Sequence, residues 1–502
     1  MERNQGKLLV SERGGYILSF KGYLFNRHSE TKDGTKTHWM CRKRPACTKR
    51  ATTVTPTGNS DTVEVIKFVE HPHLPAPEAA AALKAYSQMK RTATEHPEAP
   101  PAQILRNALP QVPSSTLAHL PLRESMKRTF NKRRQGNLPA NPKTLQELGE
   151  IPNDFRVTLG KKTFLIYDSY DDTESGEESD EEAERRRRAK RILVYSSKTG
   201  LKALARSPVW QLDGTFETSP DIFAQILTIH GEYHGEMLPM AFALLPDKHE
   251  STYTRVLEAI KDVCARQHIR RPDPTTAIMD FEKGLNNAVA VAFPDTELRL
   301  CLFHLKQAAF RKIQQLGLTV QYRDEDDDSI RMAFRQILGV AFVPVEDVED
   351  AFRQVTEEIP DEMKPFSKYF AETYVLGRVV RGRRRTAPRY PPDLWNQHLS
   401  ARHNEPRTNN TTEAWHNRFQ KMVGKSHPTV FNLIKEFQKE EGDVRVMMAE
   451  LDAGKTIRQR RRQEYRRINE RLQNLATRYD RYKEEDRVVD FARACGHNIC
   501  ME

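Results

Sequence analysis

The first part of the chain gathers its apolar residues into short runs separated by polar breaks. Tyr16–Phe20, Gly22–Phe25 and Thr37–Cys41 mix aromatic and β-branched residues between Gly and Asp breaks, which predicts short strands and turns over residues 1–76. From Pro77 the texture becomes Ala-rich and helical. Between Pro100 and Gln135 two or three short helices are predicted, broken by Pro110, Pro113 and Pro121. Phe155–Tyr167 reads as a strand pair. Ile192–Gln307 alternates strand-like and helix-like pieces, the pattern of an α/β domain. Leu305–Phe370 is mostly amphipathic helix, Thr386–Arg407 reads as loop, and helix dominates from Thr411 onward.

Composition sharpens this picture in three places. A chain of 502 residues predicts two to four domains rather than one core. Asp168–Glu184 carries ten acidic residues and is followed by the basic run Arg185–Arg191, so residues 168–190 are expected to form a disordered charged loop. That basic run reads either as a nuclear localisation signal or as a partner for the acidic stretch before it. The net charge of +11 is compatible with a polyanionic partner without identifying one. No run of about eighteen apolar residues occurs, so no membrane span is expected. Met1–Val10 lacks an apolar signal core, which predicts no export, and six Cys are too few for a disulfide scaffold. Reduced thiols are therefore expected.

Two of those thiols sit in a ligand pattern. Cys41 and Cys47 are followed by His71 and His73, two thiolates and two imidazoles, the set that tetrahedral zinc favours. The spacing alone leaves room for two core thiols with surface histidines. With its aromatic neighbours, Gly22-Tyr-Leu-Phe25 and His38-Trp-Met-Cys41, the segment 8–76 resembles the FLYWCH zinc-finger family. That resemblance implies a small β-sheet fold with structural Zn2+ and a role in DNA or protein binding.

A second chemistry lies further on. Val209–Phe216 places Asp213 at the end of an apolar strand, and Thr275–Met279 delivers Asp280 in the same way. Carboxylates at strand ends can converge at one sheet edge and suit hard cations. Taken singly, each Asp reads equally as a turn or helix-cap residue. Between them lie two further strand patterns and a helix, the RNase H-like order. The blocks Asp213-Gly-Thr-Phe, Ala243-Leu-Leu-Pro-Asp-Lys, Met279-Asp280-Phe-Glu-Lys-Gly, Cys301-Leu-Phe-His304 and the run from Arg407 through Glu413 to His416 follow in order. Together, from about Arg191 to Val423, they resemble the Mutator-like (MULE) transposase domain.

The resemblance implies a third carboxylate, Glu413, in the first turn of a helix that Thr411 or Thr412 would cap; the helix dipole alone would also explain an acid there. It implies two Mg2+ or Mn2+ ions on Asp213, Asp280 and Glu413, serving strand cleavage and strand transfer on double-stranded DNA. Glu282 is a reserve ligand, read as lying one layer behind the metals. Cys301 and His304 share a helix face and could bind zinc, though two ligands without evident partners make an incomplete site; Cys301 is equally a core residue, and His304 is expected near the DNA rather than carrying a catalytic proton.

Basic side chains complete the reading. Arg123, Lys127, Lys132, Arg133 and Arg134 gather on one short helix in a weak helix-turn-helix order, and two further basic segments, Arg378–Arg389 and Arg458–Arg471 with Arg458, Arg461 and Arg462, could clamp phosphates. A solvated basic face accounts for the first group equally well. The tail Cys495-x-His497-x2-Cys500 has only three ligands and reads as a frayed end. The expected fold is therefore an α/β RNase H-like catalytic domain (151–304 and 400–440) with an all-α insertion (305–399). A β-rich finger (1–76) and a helical DNA-binding-like segment (77–150) precede it, and a basic helical region (441–502) follows. The expected function is cut-and-paste DNA transposition at terminal inverted repeats and target DNA, by a nuclear homodimer or higher oligomer without membrane contact. The leading alternative is a domesticated DNA-binding regulator without catalysis, and a ribonuclease is a third reading, because the two-metal chemistry is the same.

Overall fold

The short strands predicted in the N-terminal segment close into a barrel in the computed structural model. The structure describes residues 4–10, 15–56, 61–96, 99–135, 138–171, 190–381, 384–405, 407, 410–424, 426–457 and 463–499. They fall into two units, Met1–Ala140 and Asn141–Glu502.

In the first unit, β1 (Gln5–Val10), β2 (Tyr16–Phe20), β3 (Tyr23–Glu30), β4 (Lys36–Cys41), β5 (Arg50–Val54) and β6 (Thr62–Phe68) form a closed antiparallel barrel in chain order. Leu18, Phe25, Trp39 and Val65 fill it, and the Trp39 indole donates to Thr53 Oγ1 at 2.8 Å. The β2–β3 hairpin turns on Lys21 and Gly22, both at positive φ, the two-residue geometry that suits the strand twist. Gly22 is required for space as well: a Cβ there would lie 2.8 Å from Pro75. The helices Pro77–Glu95, Pro101–Ala108, Ser114–Leu117 and Arg123–Gln135 follow. Tyr86, Met89, Ile104, Leu105, Met126 and Phe130 form their common core.

The second unit is built on a seven-stranded mixed sheet. Its strands are β7 (Leu165–Asp168), β8 (Leu193–Tyr195), β9 (Val209–Thr215), β10 (Gln225–Tyr233), β11 (Glu236–Leu245), β12 (Thr276–Met279) and β13 (Glu297–Leu300), in the order β13-β12-β9-β10-β11-β8-β7. β10 runs antiparallel to both β9 and β11, whereas β12 runs parallel to its neighbours β9 and β13. His234 and Gly235, both at positive φ, make the tight β10–β11 turn. The antiparallel pair β10–β11 needs only that turn, while the parallel strands arrive through the helices Glu250–Arg266 and Lys283–Ala292.

Three sequence expectations change here. Asp168, expected in the charged loop, is a strand residue. Asp168 ends β7, Arg191 precedes β8, and the two are buried and paired, Arg191 Nε donating to Asp168 Oδ1 at 2.8 Å. Arg191 also donates to the carbonyl of Gly149 at 2.9 Å, so this last residue of the basic run is a core ion-pair partner. Residues 172–189, the bulk of the expected charged loop, lie outside the described residues.

Thr386–Arg407 is not all loop, since helices Pro392–Trp395 and His398–Arg402 bury Trp395 and Ala401. The C-terminal end is not frayed either. Helix Val488–Ile499 buries Phe491, Ala492 and Cys495 in the same core as Ile330, Phe334 and Ile337 of the helix Ser329–Gly339. Gly339 and Gly496 allow the crossing: a Cβ on Gly339 would lie 1.8 Å from the Ala492 carbonyl oxygen. Cys500 lies outside the described residues.

Candidate active site and zinc centre

In the barrel, β4 carries Cys41 at its end, the turn after it carries Cys47, and the chain leaving β6 carries His71 and His73. Cys41 Sγ lies 3.3 Å from His73 Nε2, and Cys47 Sγ lies 3.2 Å from His71 Nδ1. One donor atom from each of the four residues falls within 4.8 Å of all the others. Zn–S and Zn–N bonds at a tetrahedral angle would put sulfur and nitrogen about 3.5 Å apart, so the donor set fits Zn2+. The His73 ring is oriented by contact of Nδ1 with the Leu74 carbonyl at 3.1 Å, leaving Nε2 to face the thiolate. Tyr23 stacks on His71 with ring centroids 4.3 Å apart, which is what the aromatic pattern contributes. Burial and the neighbouring Cys47 sulfur raise the Cys41 thiol's pKa, a cost that a bound cation removes.

The second site is built at the edge where β9, β12 and β13 end. Alternation along β9 sends Trp210 and Leu212 to one face and Gln211 and Asp213 to the other. Because β12 runs parallel with Met279 beside Leu212, Asp280 leaves its strand next to Asp213. Because β13 runs parallel with Leu300 beside Met279, Cys301 begins the helix Leu302–Gln315 at the same edge. The Cys301 amide donates to the Met279 carbonyl at 2.8 Å. The first helical turn brings His304 over Asp280, with Nδ1 2.5 Å from Oδ1. Cys301 itself is buried against His304.

Glu413 comes from the helix Asn410–Val423. The sequence expectation of a Thr cap is corrected: the helix starts at Asn410, so Thr411 and Thr412 lie inside it. Thr412 is buried and donates instead to Gln211 Oε1 on β9 at 2.8 Å. Behind it, the Trp415 indole donates to the buried Glu440 at 2.6 Å, and Arg418 pairs with the same carboxylate. These contacts fix the helix on the face of the sheet that carries Asp213. Glu413 Oε1 then stands 3.4 Å from His304 Nε2.

Burial, reinforced by the charges of Asp213 and Asp280, pushes the Glu413 carboxyl up to about 7 despite the opposing pull of His304. Burial lowers the pKa of His304, but contacts with Asp280 and Cys301 outweigh it, to about 11. Asp280 Oδ1 and His304 Nδ1 are buried without a hydrogen-bond partner among the described residues. An acidic cluster with orphaned donor atoms fits a hard divalent cation.

A cleft of about 840 Å³ opens over these groups. Lys248, Lys283, Arg311 and Arg389 line it beside the acids, so the floor is acidic and the rim basic. Glu282 stands in the wall, 3.4 Å from Lys248 and hydrogen-bonded to the Tyr253 hydroxyl. His416 is the residue that sequence reasoning passed over. It lies one turn beyond Glu413, and its Nε2 is 3.3 Å from Asp213 Oδ2. The Glu413–His416 spacing of i and i+3 on an amphipathic helix was the available signal.

The basic helix Arg123–Gln135 buries Met126 and Phe130 and exposes Arg123, Lys132 and Arg133, while Lys127 pairs with Glu124 at 2.7 Å. The side chain of Arg134 and all of Arg458, Arg461 and Arg462 lie outside the described residues. No described helix is long and apolar enough to cross a membrane.

Comparison with known families matches residues 8–73 to the FLYWCH zinc finger domain and residues 209–308 to the MULE transposase domain. The chain thus carries a FLYWCH zinc finger ahead of a MULE transposase domain. The second match contains Asp213, Asp280, Cys301 and His304 and ends before Glu413. A stretch of 114 residues, 21% of this chain, is 28% identical to the PKS-NRPS hybrid synthetase cheA of Chaetomium globosum, and it spans 2% of that protein.

Proposed function

We propose that this chain is a DNA transposase of the Mutator-like type that cleaves and joins strands at the Asp213–Asp280–Glu413 site. The observation that carries the reading is the convergence of three carboxylates from two parallel strands and one helix under a basic rim. The strand order β11-β10-β9-β12-β13, with three antiparallel strands and two parallel ones, supports an RNase H-like catalytic core. The long helical stretch between Asp280 and Glu413 reads as its insertion.

Asp213, Asp280 and Glu413 would hold Mg2+ or Mn2+, two ions in all. Divalent cations there supply Lewis-acid polarisation of the phosphodiester and a nucleophile at neutral pH. The chain's own contribution is placement. Lys248, Lys283, Arg311 and Arg389 would draw the phosphate backbone across the cleft, and the Thr412 and Trp415 contacts would hold Glu413 in register. The finger and the helix Arg123–Gln135 would bind terminal inverted repeats, and two element ends imply a dimer or higher oligomer acting in the nucleus. The test is a cleavage assay on duplex DNA bearing the element's own ends, with Mg2+ or Mn2+. Metal-dependent nicking at the element boundary is expected; sequence-specific binding without any cleavage would favour a regulator instead.

A further inference from the structure

The carboxylates are not the only donors aimed at the metal position. We propose that His304 is itself a protein ligand of the divalent cation, through Nδ1, beside Asp213 and Asp280. Glu413 would then lie against its other ring nitrogen. The inference deepens the proposed function and rests on its metal-dependent site.

Four observations carry it. One donor atom each from Asp213, Asp280 and His304 lies within 4.8 Å of the other two. His304 Nδ1 and Asp280 Oδ1 approach to 2.5 Å, yet both are buried without a hydrogen-bond partner among the described residues. An ordinary His–Asp ion pair would aim the ring N–H along the carboxylate lone pair. Here the two atoms approach to 2.5 Å without making that hydrogen bond, as two ligand atoms do when they share a cation.

The opposite ring nitrogen, Nε2, stands 3.4 Å from Glu413 Oε1. That is the carboxylate–histidine–metal arrangement, in which the outer carboxylate fixes the tautomer and orientation of the ligating ring. Finally, the backbone pre-sets the ring's position, because Cys301 is tied to Met279 at 2.8 Å and His304 follows one turn later.

The chemistry has a consequence for metal choice. An all-carboxylate site is indifferent between Mg2+ and Mn2+ on ligand type, whereas an imidazole shifts preference toward the more borderline ion, Mn2+. Glu413 would serve the metal partly through His304.

The test uses the full chain, zinc-loaded, with one equivalent of Mn2+ and pulsed electron paramagnetic resonance read for 14N coupling. Wild type is expected to show the modulation of a directly bound imidazole nitrogen. His304→Ala should abolish it and weaken Mn2+ binding on the order of tenfold or more, with near-ultraviolet circular dichroism confirming the fold. His304→Gln, closer in volume, is the second variant should the alanine form unfold, and it should also lose the coupling. His416→Ala should leave it intact. Bound Mn2+ without 14N coupling in wild type, or coupling that survives His304→Ala, would overturn the assignment while leaving the metal site standing. Absence of Mn2+ binding altogether would remove the metal-dependent reading and this inference with it.

Discussion

The Thr412 hydroxyl donates to Gln211 Oε1 at 2.8 Å, a buried contact between a helix and a strand 201 residues apart. Glu413 is the next residue after Thr412, and Asp213 is two residues after Gln211 on the same strand face. This hydrogen bond therefore ties the helix turn that carries Glu413 directly to the strand that carries Asp213. Thr412→Val keeps the shape and leaves Gln211 Oε1 buried without this donor. A loss of about 1–3 kcal/mol in stability is expected, with cleavage falling more than DNA binding. Urea denaturation and paired cleavage and binding assays check this; equal losses in both assays would reduce the contact to a general stability role.

The crossing of helices Ser329–Gly339 and Val488–Ile499 gives a second prediction. A Cβ at Gly496 would lie 2.1 Å from the Arg335 carbonyl oxygen, and both atoms belong to backbones that cannot yield locally. Gly496→Ala should destabilise the second unit by about 1–3 kcal/mol through overpacking. A denaturation midpoint unchanged from wild type would mean that the C-terminal helix does not dock there.

How much of this is legible in the sequence depends on how local the signal is. Asp213 and Asp280 can be read because each ends an apolar strand, and parallel pairing does the rest. Glu413 cannot be separated from a helix-dipole acid by its own neighbourhood; the groups that distinguish it, His304, Asp213 and Asp280, are far away in sequence. For Arg191 the sequence offers a pairing of the basic run with the acidic stretch that Asp168 opens, but not which acid it meets or that the pair is buried between adjacent strands. The helical character of the C-terminal end is legible, but its docking escapes a local reading because the cue, Gly339 and Gly496 at the helix crossing, joins distant positions. Cys41, Cys47, His71 and His73 are the easiest, because ligand chemistry narrows the residue types so strongly.

Removing zinc should act on the first unit. The barrel's buried core is small, and small cores rely on a metal staple. Cys41→Ser or His73→Ala should release zinc and leave residues 8–73 open to proteolysis while the second unit keeps its melting transition. Zinc content unchanged in both variants would contradict the assigned ligands.

The exposed cations of the helix Arg123–Gln135 predict a salt-dependent contribution to DNA binding. Lys132→Glu with Arg133→Glu should weaken binding and flatten the log-affinity against log-salt slope by about one for each phosphate no longer neutralised. A larger loss on inverted-repeat DNA than on random duplex would indicate sequence reading; equal losses would indicate a phosphate clamp. An unchanged slope would show that this face does not meet DNA.

The most direct measurement concerns the three carboxylates themselves. Asp213→Asn, Asp280→Asn and Glu413→Gln each remove one negative charge with little change in shape. At Glu413 the change should cost little folding stability, because burial and the two aspartates already disfavour ionisation there. Assayed side by side for cleavage and for binding on authentic element ends with Mg2+ or Mn2+, each variant should bind like wild type and fail to cut, because the metal site loses a ligand. Cleavage at the wild-type rate by Asp280→Asn or Glu413→Gln would contradict the account.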